Sequence, residues 1–133
     1  MDLINYLKSK LTRTNITGDS QNDLGEMVAC RFLKKKGFLI LEKNFRSRYG
    51  EIDIIAKDSD VICFIEVKSR KSIYFGLPEE YVDKRKQKKL LKTSLIYLSG
   101  KGNSDIDKRF DVISVDLKNN TCRKIKNAFD AEF

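Results

Sequence analysis

Four charged residues stand at even spacing in two neighbouring apolar runs. Glu51 and Asp53 lie two apart in the first run, Glu66 and Lys68 two apart in the second, and Asp58-Ser59-Asp60 separates the runs. Side chains two apart on a strand share a face. If the runs form a β-hairpin with its turn centred between Ser59 and Asp60, Asp53 faces Glu66 and Glu51 faces Lys68. Directly opposed residues also share a face, so all four would project together. The register is decisive, because a one-residue slip turns every side chain of one strand to the other side of the sheet.

The neighbours of these charges are Ile52, Ile54, Ile55, Ala56, Val61, Ile62, Phe64, Ile65 and Val67. Strands of this composition are expected to be buried on both faces, where a carboxylate is costly unless a cation or a donor meets it. Two oxygen ligands fixed on adjacent strands suit a hard cation such as Mg²⁺ or Mn²⁺, which keeps several waters and accepts substrate phosphates. Lys68 could then hold or activate a water and contact the phosphate, the layout of metal-assisted phosphodiester hydrolysis. A buried ion-pair ladder, with Lys68 balancing Glu51 or Glu66, satisfies the same spacing. Spacing alone leaves both open.

The chain has no histidine, which excludes histidine-based triads and histidine metal sites. Cys30, Cys63 and Cys122 are odd in number, widely spaced and without a CxxC pair, so neither a disulfide framework nor a zinc site is expected. No apolar stretch is long enough to span a membrane, and the first residues lack the pattern of a signal peptide. The expectation is a cytoplasmic protein with no membrane partner. At 133 residues, 41% hydrophobic and 35% charged, the chain is sized for one domain with one core rather than for a disordered polymer.

The elements that must position these residues follow from periodicity. Residues 2–11 carry Leu3, Ile4, Leu7 and Leu11 at helical spacing, and the polar stretch 12–21 reads as a linker. A helix is predicted over 22–36, capped by Asn22 or Asp23 and ended by Gly37. Strands are predicted at 38–41, 47–57, 61–71, 109–115 and 122–125, with an Asn119-Asn120 turn before the last. A long helix is predicted over 79–99, with Leu91, Leu95 and Leu98 on its buried face. The order implies an α/β domain, a mixed β-sheet flanked by helices, over 22–133 behind an N-terminal helix and linker at 1–21.

The 27 Lys and Arg residues exceed the 19 Asp and Glu, a formal net charge of +8 that suits a polyanionic partner. Lys84, Arg85, Lys86, Lys88, Lys89 and Lys92 crowd one stretch of the long helix and repel one another, a strain that a phosphate backbone would relieve. A merely solvated face is the alternative. Arg46 and Arg48 could clamp phosphate or stay solvated. Arg109 and Asp111 read as a structural ion pair. Tyr74 and Phe75, before Gly76 and Pro78, could stack on a base, although core packing suits at least one of them.

Gly50-Glu51-Ile52-Asp53 followed by Phe64-Ile65-Glu66-Val67-Lys68 resembles the D…(D/E)xK signature of the PD-(D/E)xK nuclease superfamily, whose fold is shared by restriction endonucleases and Holliday-junction resolvases. More closely, the chain resembles the YraN-like family of bacterial proteins. The matching blocks are Gly25-Glu26, Asn44-Phe45-Arg46, Gly50 to Ala56, Glu66 to Arg70, Lys86 to Leu90, Arg109 to Val112 and Ile125 to Phe129, which together span about 22–130. The resemblance implies a restriction endonuclease-like fold and a metal-dependent endonuclease acting on DNA, with branched or otherwise structured DNA among the candidate substrates. It implies Asp53, Glu66 and the Val67 carbonyl as ligands of Mg²⁺ or Mn²⁺, Lys68 as the catalytic lysine and Glu26 as an added site glutamate, where a favourable charge in a first helical turn is the plain alternative. Lys86 would reach toward phosphate beside Lys84, Arg85, Lys88 and Lys89. A homodimer is implied as well, since two strands need two sites. The runner-up is a nucleic-acid-binding protein of the same fold that does not cut, and a third reading is an assembly partner with an acidic protein.

Overall fold

Apolar runs on either side of a two-residue turn make the centre of the sheet. A computed structural model of the chain describes residues 20–70, 83–101, 106–119 and 121–128. Strand β2 (Gly50–Asp58) pairs antiparallel with β3 (Val61–Arg70), Asp58 opposite Val61 and Ile55 opposite Phe64, the register the turn predicts. Ser59 makes the reversal with φ 54°. On the outer side of β2 lies β1 (Leu39–Ser47), antiparallel, with a bulge between Ile40 and Glu42. Beyond β3 lies β4 (Lys108–Asp116), parallel, and then β5 (Thr121–Ile125), antiparallel. The result is a five-stranded mixed sheet in the order β1-β2-β3-β4-β5.

Among the described residues, two helices cover the two faces, completing an α/β fold of the restriction endonuclease-like type. Helix α1 (Ser20–Lys35) sets Leu24, Val28, Ala29 and Leu33 on Ile54, Ala56, Cys63, Ile65, Ile113 and Val115. Helix α2 (Lys84–Lys101) sets Leu90, Tyr97 and Leu98 on Ile52, Ile55, Ile62, Phe64, Phe110 and Val112. Burial of the central strands on both faces explains their near-continuous apolar runs. The parallel β3–β4 pair needs a crossover connection, which α2 supplies. Helix α1 ends as expected: Gly37 has φ 91°, its N–H donates to Lys34 O, and the Phe38 N–H donates to Leu33 O. That is a Schellman motif, with Phe38 and Leu33 in apolar contact across it.

Four expectations need correction. The long helix expected over 79–99 runs from Lys84 to Lys101, with Asp83 outside it as its cap. Helix α1 starts at Ser20, two residues early. Strand β1 does not stop at Leu41 but runs through the polar Glu42, Lys43 and Asn44 to Ser47, so β2 begins only at Gly50. An edge strand exposed to solvent gains nothing from apolar alternation, so its pattern hid it. The buried face of α2 is not Leu91–Leu95–Leu98. Leu95 is 43% exposed, and Leu90, Thr93, Ser94, Tyr97 and Leu98 face the sheet. Thr93 and Ser94 can be buried because their hydroxyls are bonded, Thr93 to Ser47 Oγ at 2.8 Å and Ser94 to Leu91 O at 2.7 Å.

The segment 1–19 and the Tyr74–Pro78 region lie outside the described residues. All three cysteines are free, and burial pushes the Cys63 and Cys122 thiols up to about 11. No helix among the described residues is long and apolar enough to cross a membrane.

Candidate metal centre

The sheet forks at Asp53. The last β2–β3 pair is Ile54 opposite Ile65. Past it, each strand continues only with its outer neighbour, Glu51 opposite Arg46 on β1 and Glu66 and Lys68 opposite Val112 and Ser114 on β4. At the parting, Asp53 Oδ2 accepts the Val67 N–H at 2.8 Å, so a side chain takes the place of a backbone carbonyl. A cleft of about 400 Å³ opens between the two arms, lined by residues of both and of α1 and α2.

Three carboxylates gather on the β2 side. Glu26, Glu51 and Asp53 each offer one oxygen, and these oxygens all lie within 4.8 Å of one another. Glu26 arrives on α1 because Gly25, just before it, lets the helix press against β3. A Cβ there would lie 1.6 Å from Ser69 Oγ and 2.9 Å from Ser69 Cβ. Glu51 arrives through a break in strand alternation. Ile54 and Ala56 pack under α1 and Ile55 under α2, yet Ile52 also packs under α2. Glu51, beside Ile52, is thereby turned to the α1 side. The β1 register sets Asn44, in the left-handed region at φ 55°, opposite this break. With its amide oriented to satisfy both neighbours, Asn44 donates to Glu51 Oε1 at 2.6 Å and to Glu26 Oε2 at 3.1 Å.

The cluster is electrostatically tense. Burial, and then the charge of Glu66, push the Asp53 carboxyl up to about 8, against the pull of the Val67 N–H. Burial also raises Glu26, offset in part by Asn44.

Glu66, on the other arm, is 7% exposed and carries two ammonium groups on one oxygen. Lys86 Nζ lies 2.5 Å from Oε1 and Lys68 Nζ 3.5 Å from it. Burial lowers Lys68, and Glu66 only partly restores it. Burial also opposes the charge on Lys86, but Glu66 outweighs it and Lys86 is raised.

The structure therefore brings Glu26, Asp53, Glu66, Val67 and Lys68 to one cleft, but with altered partners. Glu51 does not meet Lys68, because its position lies beyond the β2–β3 ladder. It pairs with Arg46 at 3.4 Å and joins Glu26 and Asp53. Val67 meets Asp53 through its N–H. Lys86 is not part of a solvated basic face but reaches into the cleft. Lys84, Arg85, Lys88 and Lys89 are exposed on α2. Arg48 lies 4.8 Å over the Tyr49 ring and donates to its hydroxyl at 2.7 Å, and Lys92 lies 5.0 Å over the same ring.

The expected Arg109–Asp111 pair is present and buried. Arg109 Nε meets both Asp111 oxygens at 3.1 Å and Nη2 meets Asp58 at 2.9 Å. Asn44 and Ser69, both at the cleft, were not singled out as site residues from sequence. Asn44 has no pattern of its own, and the approach of Gly25 to Ser69 joins two segments that no local pattern links.

The donor set is all oxygen, clustered and partly buried. Such a set suits a hard cation and would be relieved by one. Glu26, Glu51 and Asp53 could thus hold a metal ion.

The model of the uncharacterised protein family UPF0102 matches residues 25–115. A UPF0102 protein of Syntrophus aciditrophicus is 48% identical over 112 residues, covering 83% of this chain and 88% of that protein. One from Persephonella marina is 46% identical over 109 residues, covering 82% and 92%. One from Clostridium botulinum (strain Kyoto / Type A2) is 48% identical over 110 residues, covering 79% and 89%.

Proposed function

The chain belongs to the uncharacterised protein family UPF0102, the YraN family its sequence blocks resemble, and from there we propose that it is a metal-dependent endonuclease hydrolysing phosphodiester bonds of DNA, branched or otherwise structured DNA included. The observation that carries the reading is the fork: an oxygen-donor cluster on one side and a Glu66–Lys68 pair, its carboxylate buried, on the other, across one cleft. Asp53, with Glu26, Glu51 and Glu66 around it, holds Mg²⁺ or Mn²⁺. When bound, the ion supplies charge stabilisation to the phosphate and helps acidify water. Lys68, with its ammonium lowered by burial, orients the attacking water and hands over or takes up its proton. Asn44 fixes the orientation of Glu26 and Glu51. The exposed Lys84, Arg85, Lys88 and Lys89, with Arg48 and Lys92 about Tyr49, track the backbone, and Arg46 stands at the cleft rim. Two strands of a branched substrate need two such clefts, so a homodimer goes with the reading.

A second reading, a DNA-binding protein that does not cut, is favoured by one observation: Glu66 is already neutralised by Lys86 and Lys68. The deciding experiment is cleavage of labelled linear, single-stranded and four-way-junction DNA with Mg²⁺ or Mn²⁺ at low salt, wild type beside Lys68→Ala. Metal-dependent cleavage lost in Lys68→Ala supports the nuclease. Equal DNA binding by both proteins with no cleavage of any substrate moves the assignment to the binder.

A further inference from the structure

Lys86 occupies a position that helix electrostatics disfavours. The first turn of α2 holds Lys84, Arg85 and Lys86 and no acid, at the end where the macrodipole is positive. Asp83 caps that turn, accepting the Lys86 N–H at 2.8 Å. What holds the Lys86 side chain against this bias is Glu66, at 2.5 Å, an oxygen already in reach of Lys68 at 3.5 Å. One buried carboxylate thus has two ammonium groups, while three carboxylates across the fork crowd within 4.8 Å. Across the fork the partners carry less positive charge: Glu51 meets Arg46 at 3.4 Å, while Glu26 accepts from the Asn44 amide and Asp53 from the Val67 N–H.

We propose that Lys86 is a built-in stand-in for the metal: in the metal-free protein its ammonium neutralises Glu66, and metal loading releases it to the substrate's phosphate. The inference rests on the reading of the cleft as a metal site. Of the two lysines, Lys86 is the one free to leave. Lys68 projects from the central strand β3, with its side chain 23% exposed, whereas Lys86 stands at a helix end, 37% exposed. Its flexible stem needs only side-chain rotations to turn outward, toward the side where Lys84, Arg85, Lys88 and Lys89 are exposed. Once Glu66 serves the divalent ion, the same macrodipole bias that opposed Lys86 favours an anion beside it. Metal and phosphate then strengthen each other's binding, and by linkage they do so by the same factor.

The test is calorimetric titration of Mn²⁺ alone, without DNA, into wild type, Lys86→Met and Lys86→Arg. Removing the competitor makes Mn²⁺ bind roughly tenfold tighter to Lys86→Met, while Lys86→Arg stays near wild type. Unchanged or weaker binding by Lys86→Met makes the Lys86–Glu66 pair a fixed part of the scaffold and overturns the proposal. Absence of Mn²⁺ binding by all three proteins overturns the metal reading itself, and this inference with it. If Lys86→Met does not fold cooperatively, Lys86→Gln removes the same charge and carries the comparison. In a second arm, the gain in DNA affinity on adding Ca²⁺ shrinks by the same factor in Lys86→Met. Equal gains in the two proteins overturn the release step.

Discussion

Asp53 Oδ2 accepts the Val67 N–H where β2 and β3 stop pairing, so one carboxylate both closes the ladder and opens the cleft. Its carboxyl is pushed up from 3.8 to about 8 by burial and then by Glu66. Without metal, the folded protein therefore keeps a proton between about pH 4 and pH 8 that the unfolded chain has lost. Folding stability is then fullest at the acid end and falls as pH rises through this window. Thermal melts in a chelator from pH 5 to 9 will show that slope in wild type. Asp53→Asn, which keeps an acceptor for Val67 N–H and cannot ionise, will flatten it. Parallel slopes in the two proteins would take Asp53 out of the titration.

Glu51 was placed opposite Lys68 by register, but the structure gives it to Glu26 and Asp53. Glu51→Gln removes one of three crowded charges. Mn²⁺ affinity is expected to fall roughly tenfold or more. The melting temperature without metal is expected to hold or rise, because a like-charge repulsion is gone. Undiminished Mn²⁺ affinity in a calorimetric titration would leave Glu51 outside the ligand set.

Gly25→Ala sets two effects against each other. Helix propensity favours the alanine by about 1 kcal/mol. The new Cβ would stand 2.9 Å from Ser69 Cβ, anchored in the central strand, and forcing that contact costs about 1–3 kcal/mol. Urea denaturation should show net destabilisation, and Ser69→Gly in the same chain should recover part of it. A Gly25→Ala protein more stable than wild type would mean that α1 slides freely over β3.

Arg109→Met tests a role in the scaffold alone. It strands Asp111, 1% exposed, with the Asn127 N–H at 3.0 Å and Lys124 at 3.9 Å. Breaking a buried pair this way costs about 3–5 kcal/mol, readable by denaturant unfolding. Mn²⁺ affinity of the folded variant should match wild type, since Arg109 does not line the cleft.

Much of this protein was legible in the chain because short-range pattern carries it. Asp58-Ser59-Asp60 between two apolar runs set the β2–β3 register without help from other elements. Continuous apolar runs announced central strands, and Gly37 announced the end of α1. Glu51, Asp53, Glu66 and Lys68 were visible as charges at even spacing among the apolar residues of those two runs.

Tertiary structure decided the partners of Glu51, Asp53 and Lys86. Register says which residues oppose each other while a ladder lasts, but not where it stops. The fork at Asp53 depends on β1 and β4 each holding one strand back. The break in alternation at Ile52, the approach of α1 at Gly25 and the reach of Lys86 to Glu66 each join segments distant in sequence. A local pattern cannot encode such meetings, because a side chain's face is set by its own strand or helix, whereas the neighbour it meets is set by how those elements pack.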